Sequence, residues 1–166
     1  AALALSGCES PQFTSKTLAP STPGSGRTIV WRDEFDGNAG SSPSPALWGF
    51  DVGTDWGNAQ LEYDTARPTN VSLDGQGHLA ITARRELFSG QPYTSGRITT
   101  RGLFAQTHGR FEARILLPKG KGIWPAFWLL GSNIGSAGWP ACGEIDIMEF
   151  VGYDPGVIHA NVHMKK

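Results

Sequence analysis

The sequence predicts an all-β sandwich of short antiparallel strands, and three observations carry that expectation. No long segment repeats its apolar residues at helical spacing, so there is no amphipathic helix to build a layer from. Apolar and polar residues instead alternate in short runs, most cleanly over residues 109–118. The 166 residues include 22 Gly and 11 Pro, a supply of turn formers that suits many brief strands. The length allows one domain with a sizeable core, and 39% hydrophobic residues suit a soluble one. A net charge of −1 gives no electrostatic basis for binding nucleic acid or an acidic membrane surface. No stretch approaches the roughly 20 apolar residues of a membrane span. A monomer is the expected state.

Residues 1–27 read as a leader and linker. Leu5-Ser6-Gly7-Cys8 resembles the end of a bacterial lipoprotein signal, in which the cysteine is acylated after cleavage. An exported protein is expected, either held at the cell envelope through a lipidated Cys8 or secreted. The Ser, Thr, Pro and Gly of residues 9–27 are linker composition. A disulfide between Cys8 and Cys142 is not expected, because the two sit in unrelated contexts.

Ordered structure is expected from Thr28, and Arg32-Asp33-Glu34-Phe35-Asp36-Gly37 resembles a known opening strand and turn. A loop over 38–46 then leads to a short strand over 48–52. Asn70 to Ala83 reads as strand, turn and strand, with Leu79, Ile81 and Ala83 on the apolar face and Asp74-Gly75-Gln76-Gly77 as the turn. Arg84-Arg85-Glu86 reads as a solvated end, and residues 93–100 as the next strand. In 109–118, Phe111, Ala113 and Ile115 point inward while Glu112 and Arg114 point out, the pattern of a half-buried strand. Residues 122–130 are a continuous apolar run. Trp124 and Trp128 lie four apart in it, so on a regular strand they share a face. The six Trp divide between core packing and flat platforms suited to stacking on rings.

The chemistry concentrates in Gly143-Glu144-Ile145-Asp146-Ile147-Met148-Glu149-Phe150. Like charges set side by side raise the cost of ionising one another. Stability gives little reason to line up three acids, whereas a catalyst needing one ionised and one protonated carboxyl has a good one. An acidic edge strand that discourages edge pairing is the plainer alternative. Glu144 and Asp146 share a face; Glu149, five residues from Glu144, would point away unless a β-bulge near Ile147 or Met148 returned it. His159 and His163, four apart near the end of the chain, share a strand face and lack the helical zinc spacing. His163 is the candidate to approach the acids, tuning them or touching substrate.

The run from Trp139 to Gly152 resembles the signature of glycoside hydrolase family 16, most closely its laminarinase-like endo-β-1,3-glucanases. The resemblance implies a concanavalin-like jelly roll, a sandwich of two curved antiparallel sheets with a substrate cleft on the concave face. It covers residues 28–166, taken as the catalytic domain, and the family's domain is longer, so a fold incomplete at the C-terminus is expected. Position by position, Glu144 matches the nucleophile, Asp146 the assisting acid and Glu149 the general acid/base of a retaining mechanism, which needs carboxyls about 5–5.5 Å apart. Asn58 matches a residue that binds substrate hydroxyls, although Ala59-Gln60 replaces the family's usual Asn-Glu after it. Arg97 matches an arginine that approaches the catalytic centre and could pair with a carboxylate or a sugar oxygen. Trp124, Trp128 and Trp139 are candidate sugar platforms. No cofactor is required; Glu34 matches a position used by some members for a structural calcium, which takes about 6–8 oxygens. The expected partner is a polysaccharide, a β-1,3-glucan. Agarase- or carrageenase-like hydrolysis, transglycosylation and a non-catalytic glucan-recognition protein remain open beside it; the last is disfavoured because all three acids are present.

Overall fold

The structure, a computed structural model, describes residues 28–166 together with Gly26 and the backbone pair Ala2–Leu3. Cys8, and most of the leader and linker expected around it, lie outside the described residues. The strands are Ala2–Leu3 (β1), Gly49–Phe50 (β2), Glu62–Asp64 (β3), Val71–Leu73 (β4), Leu79–Ile81 (β5), Arg84–Phe88 (β6), Gln91–Ser95 (β7), Ile98–Thr99 (β8), Ala126–Leu130 (β9), Glu144–Glu149 (β10) and His159–His163 (β11). One helical turn, Ile134–Ala137 (α1), stands between β9 and β10. Hydrogen bonding joins the strands in the orders β1-β5-β4, β2-β8, β3-β7-β6 and β11-β10-β9. Pairing is antiparallel except where β1 meets β5 and β3 meets β7.

The β4–β5 hairpin forms as its sequence dictates. The Asp74 carboxylate accepts the backbone N–H groups of Gln76 (2.7 Å) and His78 (3.1 Å), closing the turn with an Asx-type bond. Val71 then pairs with Ile81 and Leu73 with Leu79, so period two places all four on one face. These residues are the main buried cluster, with Phe35, Phe50 and Ile98 packed against it from 28–37 and the β2–β8 pair. Full burial of each such side chain contributes about 1.5–3 kcal/mol.

A polar hub ties this core to the β3-β7-β6 sheet. Asn70 is fully buried. Its amide nitrogen donates to the Thr82 carbonyl (3.0 Å) and Thr94 hydroxyl (2.9 Å), and its oxygen accepts from Thr65 (2.6 Å) and Arg67 (2.9 Å). A fully satisfied buried amide costs little to desolvate and specifies one packing. Nearby, the expected strand over 93–100 breaks into β7 and β8 at Gly96-Arg97. A Cβ at Gly96 would lie 2.1 Å from Val71 Cγ2, so only glycine lets the chain pass the core here.

Three expectations of local structure need correction. Arg84-Arg85-Glu86 is not a loose end but the start of edge strand β6, with Arg84 and Arg85 facing solvent as befits an edge and Glu86 hydrogen-bonded to Arg67 and Thr94. Residues 28–37 form no ladder. They are fixed by Asp33, which accepts the Trp48 indole N–H and the Phe35 backbone N–H (both 2.8 Å), and by Trp31 packed edge-on against Trp48. Residues 109–118 also form no strand, despite the cleanest alternation in the sequence. Alternation reports one shielded face, whereas a strand also needs a hydrogen-bonded neighbour. Phe111, Ile115 and Leu117 are half-buried along an open cavity of about 390 Å³, with Phe127, Ile147 and Met148 on its other wall. Cys142 is a free thiol.

Candidate active site

β10 is the central strand of its sheet, and its neighbours set the geometry of the acids. Glu144 stands opposite Leu130 on β9 and His163 on β11; Asp146 stands opposite Trp128 and Asn161. The ladder then slips. Asp146 pairs with Trp128 and Met148 with Phe127, so Ile147 is the extra residue of a β-bulge. Ile147 and Met148 both line the apolar cavity behind the sheet. Glu149 consequently regains the front face that Glu144 and Asp146 occupy. β9 and β10 start in contact because Gly131 permits it: a Cβ there would fall 2.0 Å from the Cys142 carbonyl oxygen.

The three carboxyls have different partners. Asp146 is 5% exposed, and its Oδ2 lies 3.1 Å from His163 Nε2. Glu144 is half-buried and 3.8 Å from the same nitrogen of His163, against whose ring Trp139 packs at 5.7 Å. Burial raises both groups above the ordinary carboxylate range. For Glu144 the charges of Asp146 and Glu149 add to that rise, for Asp146 the charge of Glu149; His163 opposes it in both. Glu149 instead accepts the Trp124 indole N–H on Oε1 (3.0 Å) and the Asn161 amide on Oε2 (2.9 Å). One donor on each oxygen fixes the plane of its carboxyl.

Beyond Trp128 the front face continues into a layered group. The Arg97 guanidinium lies 4.8 Å from the Trp128 ring centre and 5.0 Å from that of Trp56, between two indoles. Asp51 holds it in place, accepting from Arg97 Nε at 3.0 Å. Trp56 is held in turn by Asp64, whose Oδ2 accepts its indole N–H at 2.9 Å. Burial pushes the Asp64 carboxyl up to about 6, opposed first by the Trp56 bond; Glu62 adds to the rise.

The structure thus brings Glu144, Asp146, Glu149, Trp124, Trp139 and His163 together and joins Arg97 to them through Trp128. Trp124 and Trp139 remain exposed, at 52% and 59%. Trp128 differs from the expected sugar platform in that Arg97 occupies a face of its ring. Asn58 is exposed in the loop between Gly53 and Asp64, with no side-chain hydrogen bond among the described residues. Glu34 is exposed as well, and gathers no group of metal-ligating side chains among the described residues. Glu144, Asp146 and His163 do bring ligand atoms within 4.8 Å of one another, a coincidence of the acid cluster itself. Asn161, Asp51, Trp56 and Asp64 were not singled out from sequence. Asn161 could have been: it alternates with His159 and His163 and so shares their face.

Comparison with known proteins bears on the family and the fold. The profile described as Glycosyl hydrolases family 16 matches residues 53–166. A β-glucanase of Rhodothermus marinus is 50% identical over 141 residues, covering 82% of this chain and 48% of the relative. A glucan endo-1,3-beta-glucosidase of Cryptopygus antarcticus is 39% identical over 142 residues, covering 81% and 50%. Among solved structures, the laminarinase from Rhodothermus marinus superposes with a TM-score of 0.77 at 52% identity, over 82% of this chain and 55% of that one. The chain therefore has the all-β jelly-roll architecture of that enzyme. It spans about half the length of the curated relatives it matches.

Proposed function

The chain belongs to glycosyl hydrolase family 16, and on that premise we propose that it serves a retaining endo-hydrolase of β-1,3-glucan. The observation that carries the reading is the bulge at Ile147, which sets Glu144 and Glu149 on one face with separate partners. Glu144, as carboxylate, attacks the anomeric carbon; the glycosidic C–O bond breaks, and the leaving oxygen takes a proton from Glu149. Water then attacks the glycosyl-enzyme, giving its proton to Glu149 and releasing Glu144. Asp146, between them, shares His163 with Glu144 and holds the field in which the nucleophile ionises. Trp124 and Asn161 orient the proton donor, and Trp124 and Trp139 offer exposed indole to sugar C–H faces. Neither a cofactor nor a metal is used in these steps.

The charge of the face supports a neutral substrate. Glu144, Asp146 and Glu149 outnumber the nearby cations, and Arg97 and Arg101 are both paired with Asp51. A sulfated galactan would meet like charge there. The experiment is product analysis of the full-length protein on laminarin, lichenan, agarose and carrageenan in parallel. Oligosaccharides mainly from laminarin are expected. Products only from a galactan would overturn the substrate, and binding without products would make it a recognition protein. Sugar oligomers longer than the donor would mark transglycosylation.

Two further proposals lie outside this site. A calcium ion at Glu34 would take its other oxygens from backbone carbonyls, and would raise Tm in the wild type but not in Glu34→Ala. An exported protein anchored through acylated Cys8 would partition with membranes and lose that partition in Cys8→Ser. The protein is taken as a monomer, to be checked by light scattering.

A further inference from the structure

The loop between Gly53 and Asp64 is held in an unusual backbone. Asp55, Gly57 and Ala59 all have positive φ, at 64°, 107° and 53°, a region that a residue with a Cβ rarely adopts. The same loop buries the Gln60 side-chain oxygen with no hydrogen-bond partner among the described residues. Such a loop keeps its shape only when its surroundings over-determine it. Three contacts do so. Gly53 and Asp64 exchange backbone hydrogen bonds at its base (3.0 and 2.7 Å), Thr54 donates to the Glu62 carbonyl (2.8 Å), and Trp56 donates its indole N–H to Asp64. The last contact alone fixes a side chain that reaches the front face.

Asp64 is an odd residue for that task. It is 4% exposed, close to the acids Glu62 and Asp51, and takes no part in the proposed chemistry. A neutral hydrogen-bond acceptor would hold an indole at lower cost. Its position matters more than its charge. Trp56 lies on one side of the Arg97 guanidinium, Trp128 on the other, and Trp128 stands directly across the ladder from Asp146. Arg97 spends its Nε–H on Asp51, and no acceptor among the described residues takes the donors on its terminal nitrogens. Those donors are thus held in a fixed orientation against Trp128, the neighbour of Asp146 on the acid-bearing face, where a sugar hydroxyl could receive them.

We propose that Asp64 is a positioning residue of the substrate-binding face: by accepting the Trp56 indole N–H it clamps Trp56 onto Arg97, and so presents the guanidinium to β-glucan hydroxyls on the Trp128 side of the acid-bearing face. This rests on the glucanase reading. Asp64 acts through Trp56 and Arg97 and touches no reacting atom. It therefore governs substrate affinity and leaves the chemical step alone.

The test uses the full-length protein with laminarin and compares Asp64→Leu, Asp64→Asn and Trp56→Phe with the wild type. Asp64→Leu is expected to raise KM roughly tenfold while kcat stays within about twofold. Asp64→Asn keeps an oxygen that can accept the indole N–H, and should restore KM to within about twofold of wild type. Trp56→Phe removes the donor without touching Asp64 and should reproduce the KM rise, which decides the matter if Asp64→Leu does not fold. The Trp56 indole resonance, assigned by its loss in Trp56→Phe, should move upfield in Asp64→Leu and stay in place in Asp64→Asn. An unchanged KM in Trp56→Phe, or in a folded Asp64→Leu, would overturn the proposal. A wild type inert on laminarin would overturn the glucanase reading instead; the indole resonance would still report whether Asp64 holds Trp56.

Discussion

Glu144 and Glu149 are the same residue type on one strand, yet they do not meet the same surroundings. Glu144 shares His163 with a buried aspartate, whereas Glu149 is held by two N–H donors from flanking strands. The two carboxyls are thus distinguishable by their partners, and the proposed roles of Glu144 as nucleophile and Glu149 as acid/base rest on the match to the family signature. Glu144→Gln keeps the shape and removes the nucleophile, so turnover should fall by at least ~10⁴-fold while laminarin binding persists, measured by kinetics and affinity electrophoresis. His163 gives a pH test. Burial raises Glu144 and Asp146, and His163 opposes that rise. Losing the imidazole therefore lifts both groups further. In His163→Gln the acid limb of the kcat/KM profile should move to higher pH, and activity should fall most on the acid side. An unmoved limb would remove His163 from the electrostatics of the site. The acids and His163 were legible in the sequence because period two and charge repulsion speak for themselves. The face of Trp128 was not, because Arg97 arrives there from a distant part of the chain.

At the scale of the element, one inserted residue decides the chemistry. Without the bulge, a regular β10 would send Glu149 to the rear, among the apolar residues around Met148. Deleting Ile147 removes the extra residue and leaves Glu149 four positions from Glu144, the spacing a regular strand keeps on one face, so the three acids should stay together and activity should fall by less than ~10²-fold. A deletion variant that keeps its circular dichroism but loses activity by ~10⁴-fold or more would contradict the bulge as the device that brings Glu149 forward. The bulge was readable from sequence because Glu149 lies five positions after Glu144, an odd spacing for two acids expected to share a face. Residues 109–118 show the opposite case: alternation was clear, but pairing depends on what lies alongside. β6 was missed for a related reason. Arg84 and Arg85 look solvated because they are, while Glu86 pairs with Arg67 and Thr94, and an edge strand needs only one paired side.

For the whole molecule, the buried apolar cluster of Val71, Leu73, Leu79 and Ile81 lies in one hairpin, and the active strands sit in another sheet. Turn signals and alternation announced the all-β class. The division of the described residues into four small sheets, and the parallel meeting of β3 with β7, had no local signal, because both depend on contacts far apart in sequence. The site spans the same distances: Arg97 and Asp64 reach the acids only through Trp56 and Trp128. The claim that joins these scales is that Glu144 and Glu149 act as nucleophile and acid/base on one sugar from one face. Proton NMR of laminari-oligosaccharide cleavage by the full-length protein, read in the first minutes before mutarotation, tests it most directly. The account predicts that the new reducing ends appear first as the β-anomer, by two successive inversions. Ends that appear first as the α-anomer would contradict it.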